Sequence, residues 1–532
     1  MESFSLDMIG QLPNLNIYTQ LCLCFSVPDG DGADATRQVA ADILAQGLET
    51  LARRVPWVAG QIVHEPSSEA GNSGTYKIAP WADTPPLVVR DLRGDPSAPT
   101  MEALQKRNFP MELLDERLVA PYMTIPGRAA GSQPDEPTAV FAVQMSHVDG
   151  GLLLTFVAQH QAMDLAGQMQ VMRLLATSCR EENLPDGEVE LANRDRLSII
   201  PPLGDHELDP VEQLSRQTVK PSPLPSGADS VESVWASFSF SEESLATLKA
   251  AALQTATLQN VSTDDALTAF VWQSITRARS RRLRNDPDTT QTRLTLGRAV
   301  DCRRYLGVPR EYPGLLNTMV YLTHAAQETA DMPLGEMASE LRAAVDPATS
   351  QVGLYTRALT ALLRRTPDKG MVSMGADIDP PRDLMLSSWA GAGADCYGLD
   401  FFGIGLGPPV AVRRPRFQPF EGLGYLLPRH PSGEIVLAVC LREEDMAALK
   451  GDDEFGILVT LRRHIPVIIS SPSLTFQDLV TLLGLGEEIN GGAMDEFDRS
   501  LRAYPCWPLR PMDLDDSSTA GRDGLMNSLA LS

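Results

Sequence analysis

The stretch from 138 to 175 constrains this chain more than any other. Residues 138–145, TAVFAVQM, and 151–157, GLLLTFV, read as two strands, and His147-Val-Asp-Gly-Gly151 between them has the chemistry of a hairpin turn. The period then changes, because Leu165, Met169, Met172 and Leu175 fall on one face of a helix. His160 stands where strand hands over to helix, a junction from which side chains commonly project into a cleft. Asp164 follows four positions later in AQHQAMDLAG. Spacing alone allows a carboxylate that steers an imidazole, as in a catalytic triad. It equally allows a packed histidine beside an unrelated acid, the commoner case for a lone histidine among apolar residues.

At 532 residues the chain exceeds what one core usually holds, so a two-lobed body is expected. Residues 17–27, IYTQLCLCFSV, form a β-rich run. After the turn PDGDG, Val39, Ile43, Leu44, Leu48 and Leu51 recur at helical spacing until Pro56. Residues 201–230 are rich in Pro, Ser and Asp and lack a sustained apolar period, which marks a crossover linker. Beyond it VWASFSF, 234–240, alternates as a strand. A helix then begins at a capping box of Ser262 and Asp265, buries Leu267, Phe270 and Val271, and ends among arginines. The expected division is a first lobe over 1–200, a linker over 201–232, a second lobe over 233–451 and a partly disordered extension over 452–532. Within that extension GILVTLRRHIPVIISSP reads as one more strand and DLDDSSTAGRDG as disordered.

Charge and missing motifs exclude several functions. Against 69 acidic side chains the chain has 45 basic ones, a formal net charge of −24 that repels nucleic acid and anionic membrane. A local arginine cluster can still hold a small anion at short range. Seven cysteines, with Cys22 and Cys24 the one close pair, suit neither a zinc knuckle nor a CxxC redox motif. They read as reduced, buried thiols of a cytoplasmic protein, consistent with a beginning that lacks signal-peptide character. No HExxH, P-loop or G-x-S-x-G occurs, and no metal site is expected. His147 sits at a turn, and His206, His430 and His464 lie in loop-like contexts. GIGLGPP, with Gly403, Gly405 and Gly407, imitates a dinucleotide fingerprint, but Pro408 and Pro409 stand where the helix should begin.

HQAMD at 160–164 resembles the HxxxD motif of the BAHD acyl-CoA-dependent acyltransferases, and LDFFGIGLGPP at 399–409 resembles that family's D-F-G signature. IGQLPNLNIYTQ, VPWVAGQ, DLRGDPSAPTMEAL, VSTDDALTAFVW, RAVDCRRYLGV, YPGLLN, MLSSWA and VRRPRF narrow the resemblance to the fungal trichothecene 3-O-acetyltransferase group, over residues 9–450. Two departures stand in the second signature: an extra Phe between Asp400 and Gly403, and Pro408 where a Lys is customary. The segment after 452 has no recognised counterpart.

The resemblance implies an α/β fold of two similar-sized mixed-sheet lobes, chloramphenicol-acetyltransferase-like, with a channel between them. It implies an acyl-CoA-dependent O-acyltransferase, with acetyl-CoA as co-substrate and a secondary-metabolite alcohol (terpenoid, meroterpenoid or polyketide) as acceptor, working as a monomer. His160 becomes the general base of direct transfer. Asp164 turns away to pair with Arg303 of the Asp301-Cys302-Arg303 block, and Asp400 and Gly403 support the site. For the phosphates of CoA the candidates are Ser262 and Thr263 at a helix start, Arg298, Ser387 and Ser388 before Trp389, and Arg413 with Arg414. The alternatives are a non-catalytic small-molecule binder on the same scaffold, a condensation-domain-like enzyme and a hydrolase.

Overall fold

The computed structural model describes residues 3–460 apart from 28–29, 31, 127–137, 205–206, 208–209, 221–231, 284–292, 402 and 404–405. Tyr18–Ser26, Phe141–Val148 and Gly151–Gln159 are the centre of a five-stranded sheet completed by Leu87–Asp91 on one edge and Ala411–Arg413 on the other. Side-chain alternation sorts its two faces. Leu21, Leu23, Phe25, Leu152, Leu154 and Phe156 pack in one core with the helices Ala33–Arg54 and Leu165–Cys179. Cys22, Cys24 and Leu153 turn to the opposite face, under Leu92, Met101, Leu104, Phe109, Leu114 and Val119.

Local details depart from the sequence reading. His147 and Val148 belong to the strand, with His147 opposite Leu152, so the turn is only Asp149-Gly150. Gly150 has φ +75°, which a glycine adopts without strain. The buried stripe of the first long helix is Ala40, Leu44, Leu48 and Leu51, whereas Val39 is 45 % exposed.

The second lobe is a six-stranded sheet in the order Asn317–Ala325, Arg293–Asp301, Leu384–Ser388, Leu423–Leu426, Ile435–Arg442, Ser233–Phe240. Both sheets contain parallel and antiparallel pairs, so the architecture is a two-lobed α/β fold with mixed sheets. The helix Thr263–Leu283 buries Leu267, Phe270, Val271 and Trp272 against the second sheet. Its start is a reciprocal cap: the Asp265 amide donates to Ser262 Oγ at 3.1 Å, and the Ser262 amide donates to Asp265 Oδ2 at 3.0 Å. The stretch expected to be a linker carries the short helix Val211–Arg216, and its residues 221–231 lie outside the described residues.

After residue 398 the chain leaves the second lobe, lays the edge strand Ala411–Arg413 against Tyr18–Ser26 and returns to Leu423–Leu426. Phe401 anchors this excursion. It is 1 % exposed, and its ring stacks on Phe156 at 5.0 Å between centroids. Residues 456–460, expected to start a strand, are the end of the helix Asp453–Thr460. The rest of that run, His206, His464 and the DLDDSSTAGRDG segment lie outside the described residues. No helix among the described residues is long and apolar enough to cross a membrane.

Truncating Phe401 removes a fully buried ring from the first-lobe core. The variant Phe401→Ala is expected to lose about 3–5 kcal/mol of stability, read from the urea midpoint at constant slope.

Candidate active site

His160 follows the last residue of the strand Gly151–Gln159, and its amide donates to the Ile17 carbonyl at 2.8 Å, which prolongs the ladder by one rung. The ring is part-buried, with Nδ1 3.2 Å from the carbonyl oxygen of Met163. A carbonyl only accepts, so Nδ1 carries the proton and Nε2 presents a lone pair. Burial pushes the imidazole pKa below its usual value, and the Arg414 guanidinium pushes the same way, while the Met163 carbonyl and the Asp164 charge oppose them.

Asp164 does not touch His160. It caps the helix Leu165–Cys179 by accepting from the Gly167 amide at 2.8 Å, and it takes a two-pronged ion pair from Arg303 at 2.9 and 3.0 Å. The Leu316 amide adds a third donor at 2.8 Å. All five N–H donors of Arg303 are occupied, the others reaching the Tyr312 and Gly314 carbonyls and Asp301. Burial alone would raise the Asp164 pKa, but Arg303 outweighs it and holds the carboxyl below its usual range.

Several residues that no sequence motif marked grip the same loop. The Gln161 amide side chain donates to the Gly10 carbonyl at 2.9 Å, and Gln159 donates to Asn16 at 2.8 Å. Arg196 donates to the Ala162 carbonyl at 2.6 Å and lies against the buried carboxylate of Asp7 at 3.2 Å. Asp7 in turn accepts from Tyr312 Oη and the Leu315 amide, so the N-terminal segment, the His160 loop and the Arg303 loop form one network. Gly314 is required there, since a Cβ would come within 2.4 Å of Asp7 Oδ2.

Two adjoining cavities open beside this network. One, of about 590 Å³, is lined by Asp164, Leu165, Ala166, Asn317, Ser387, Ser388 and Trp389, with Gly398 and Leu399 from the approach to the D-F-F-G loop. The other, of about 840 Å³, is lined by Ser262, Thr263 and Arg298 and by Lys249, Arg304, Arg310, Arg342 and Arg429. They share Asp301, Arg310 and Ser388.

The cavities therefore bring Ser262, Thr263, Arg298, Ser387, Ser388 and Trp389 together, with two corrections. Arg298 is held by Asp264 at 2.6 Å and Asp265 at 2.9 Å, so its charge is neutralised within the protein. Arg413 and Arg414 line neither cavity: Arg414 follows the edge strand, and Arg413, its last residue, lies on the covered face of the first sheet. There Arg413 donates to the Phe109 and Asn108 carbonyls. Asp400 shapes its loop by accepting from the Gly403 amide at 2.8 Å, Gly403 having φ +59°. Phe402 and Gly405 lie outside the described residues. Among the described residues no cluster of His, Cys, Asp and Glu could hold a metal ion.

Residues 17–179 match the trichothecene 3-O-acetyltransferase-like N-terminal domain, and residues 123–456 match the transferase family. The O-acetyltransferase dmxR13 of Cryptosporiopsis sp. is 45 % identical over 455 residues, covering 85 % of this chain and 96 % of the relative. Trichothecene 3-O-acetyltransferase TRI101 of Fusarium sporotrichioides is 43 % identical over 454 residues, covering 85 % and 95 %. The crystal structure of F. graminearum TRI101 with coenzyme A and deoxynivalenol is similar at a TM-score of 0.79 and 41 % identity, covering 86 % of this chain and 99 % of that one. Vinorine synthase, 18 % identical with a TM-score of 0.56 over 86 % of this chain and 94 % of its own, shares the fold.

Removing one partner of the Asp164–Arg303 pair strands a buried charge. Asp164→Ala is expected to cost about 3–5 kcal/mol. Asp164→Leu combined with Arg303→Met is expected to cost less than the two single losses added, as read by urea denaturation of all four proteins in the cycle.

Proposed function

The chain belongs to the fungal BAHD-type acyltransferases, near the trichothecene 3-O-acetyltransferases, and is an acyl-CoA-dependent O-acetyltransferase; from that premise we propose that His160 is its general base and a fungal secondary-metabolite alcohol its acceptor. The observation that carries the proposal is the 3.2 Å contact of His160 Nδ1 with a carbonyl rather than a carboxylate, which assigns the proton to Nδ1. Neutral imidazole with a free Nε2 is what a base needs when an alcohol, a poor nucleophile at neutral pH, must lose its proton as it attacks. The depressed pKa keeps that form available over a wider pH range. Nε2 takes the hydroxyl proton, the alcohol oxygen bonds to the thioester carbon, and collapse expels the thiolate, which recovers the proton. Direct transfer is favoured because Cys302, beside Arg303, is buried with its thiol pushed up to about 12 and so offers no ready thiolate.

The two cavities fit acetyl-CoA. In the larger one Lys249, Arg304, Arg310 and Arg429 form no ion pair with a buried carboxylate among the described residues, and Arg310 is 70 % exposed. These cations suit the 3′-phosphate and pyrophosphate, against a net charge of −24 on the whole chain. The smaller cavity leads from them to Asp164 and Leu165, at the end of the His160 loop, a path suited to the pantetheine arm. Relatives named as acting on, or solved with, trichothecenes support a terpenoid alcohol. The chain is proposed to act as a cytoplasmic monomer.

The direct test is thiol release from acetyl-CoA over a panel of fungal terpenoid, meroterpenoid and polyketide alcohols. Wild type is expected to release thiol only with an acceptor, and His160→Ala to lose about 10²-fold or more. Release that is equal in both proteins contradicts the role of His160, and release independent of acceptor indicates a hydrolase. Because the base must be neutral, kcat/KM is expected to fall toward acid with an apparent pKa below 6.5. For the vestibule, Arg304→Ala and Arg429→Ala are expected to weaken CoA by roughly 5–20-fold while leaving 3′-dephospho-CoA less affected, as read by calorimetry.

A further inference from the structure

Arg414 is a buried cation with little to hold. It is 2 % exposed, and its two Nη atoms reach only Thr124 Oγ1, each at 3.5 Å. Nε has no partner. The guanidinium lies over the rings of Phe417 at 4.0 Å and Tyr425 at 5.1 Å. Beside it Trp235, 6 % exposed, packs on Phe417 at 4.9 Å, and its indole Nε1 also lacks a partner. The Tyr425 hydroxyl makes no hydrogen bond among the described residues. A buried polar group without a partner costs free energy, so Arg414 Nε and the Trp235 indole on one aromatic wall, with the part-buried Tyr425 hydroxyl near them, call for a ligand.

The wall stands between the base and the smaller cavity. On one side Thr124 accepts through its carbonyl from the Tyr18 amide at 2.8 Å, and the neighbouring Ile17 carbonyl accepts from the His160 amide at 2.8 Å. On the other side Tyr425 packs on Trp389 at 4.9 Å, and Trp389 lines the cavity. His160 and Tyr425 are both only part-buried.

We propose that Arg414, with the Trp235 indole and the Tyr425 hydroxyl, is the acceptor-recognition wall of the enzyme and selects alcohols that also carry a ring carbonyl. This rests on the assignment of His160 as base. Three donors with no competing acceptor favour an oxygen that accepts and does not donate, and a carbonyl takes two donors at once through its two lone pairs. A carboxylate suits the wall less, because the Arg414 charge already has a counter-charge. Thr124 Oγ1, which accepts from Arg414, donates its own proton to Glu116 Oε2 at 2.6 Å, and the Thr124 amide and Gln20 hold the same oxygen at 2.7 and 2.8 Å.

The experiment compares thiol release for matched pairs of secondary alcohols that differ by one ring ketone. Hydroxytetralone against tetralol is one pair, and ketone-bearing acceptors from the function panel against their deoxo forms are others. Wild type is expected to prefer the ketone member by about 10–100-fold in kcat/KM, the range of a hydrogen bond to a charged donor. Arg414→Gln is expected to abolish the preference through KM, the ketone member losing far more than the deoxo member, with CoA affinity unaltered as the control for folding. Should that variant not bind CoA, Tyr425→Phe takes its place, with the preference narrowed severalfold as the expected result. Equal losses for both members of a pair overturn the assignment, since they denote a general catalytic or structural role. A preference that survives both variants, or an absent preference in wild type, overturns it as well. Transfer to no alcohol at all overturns the role of His160 and this assignment with it.

Discussion

The buried ion pair between Asp164 and Arg303 joins the first lobe to the second at the point where the chemistry is placed. Each oxygen of Asp164 is held by Arg303, and backbone amides of Gly167 and Leu316 complete its shell. A pair taken this far out of water is tolerable only when every donor and acceptor is matched, and here the five donors of Arg303 are. The consequence for His160 is indirect. The carboxylate nearest in sequence is withdrawn from the imidazole, and the loop is fixed so that Nδ1 meets a backbone carbonyl instead. Asp7, Arg196, Gln159 and Gln161 extend the same clamp, so the loop that carries the ring is fixed by packing and hydrogen bonds without a carboxylate on the ring itself.

That arrangement suits a base that works once per turnover and must return to neutrality. A carboxylate on Nδ1 would stabilise imidazolium and raise the pKa; a carbonyl in a partly desolvated site does so far less. The charges that remain are segregated. Cations line the larger cavity, where the co-substrate is proposed to bind, whereas Arg298 is neutralised by Asp264 and Asp265 and Arg303 by Asp164 and Asp301. A strongly acidic chain thereby keeps a local cationic vestibule.

Much of the framework was legible in the sequence because it follows from period. The strand–hairpin–helix run around His160 and the capped helix at 263 are written in spacings of two and three to four residues, and their ends moved by only a few positions. The Asp164–Arg303 pairing was not legible from spacing, since 139 residues separate the partners, and it came only through the motif resemblance. Arginines were read worst. Arg298, Arg413 and Arg414 look alike on paper, yet Arg298 is matched by carboxylates, Arg413 is held by backbone carbonyls and Arg414 is buried with few partners. Lys249, Arg304, Arg310 and Arg429 carried no local signal, because they converge on the larger cavity from separate parts of the chain. At 456–460 helix replaces the expected strand, because a short apolar run has no period of its own and the Asp452 cap with an acidic first turn starts a helix just before it.

The central claim is that His160 is a neutral base whose proton sits on Nδ1, held by the Met163 carbonyl and not by Asp164. The measurement that tests it most directly is the nitrogen NMR spectrum of ¹⁵N-histidine-labelled protein at neutral pH, with His160→Ala to identify the His160 signals. The account predicts a protonated Nδ1 and a bare Nε2. A proton on Nε2, or a ring protonated at both nitrogens, would contradict it.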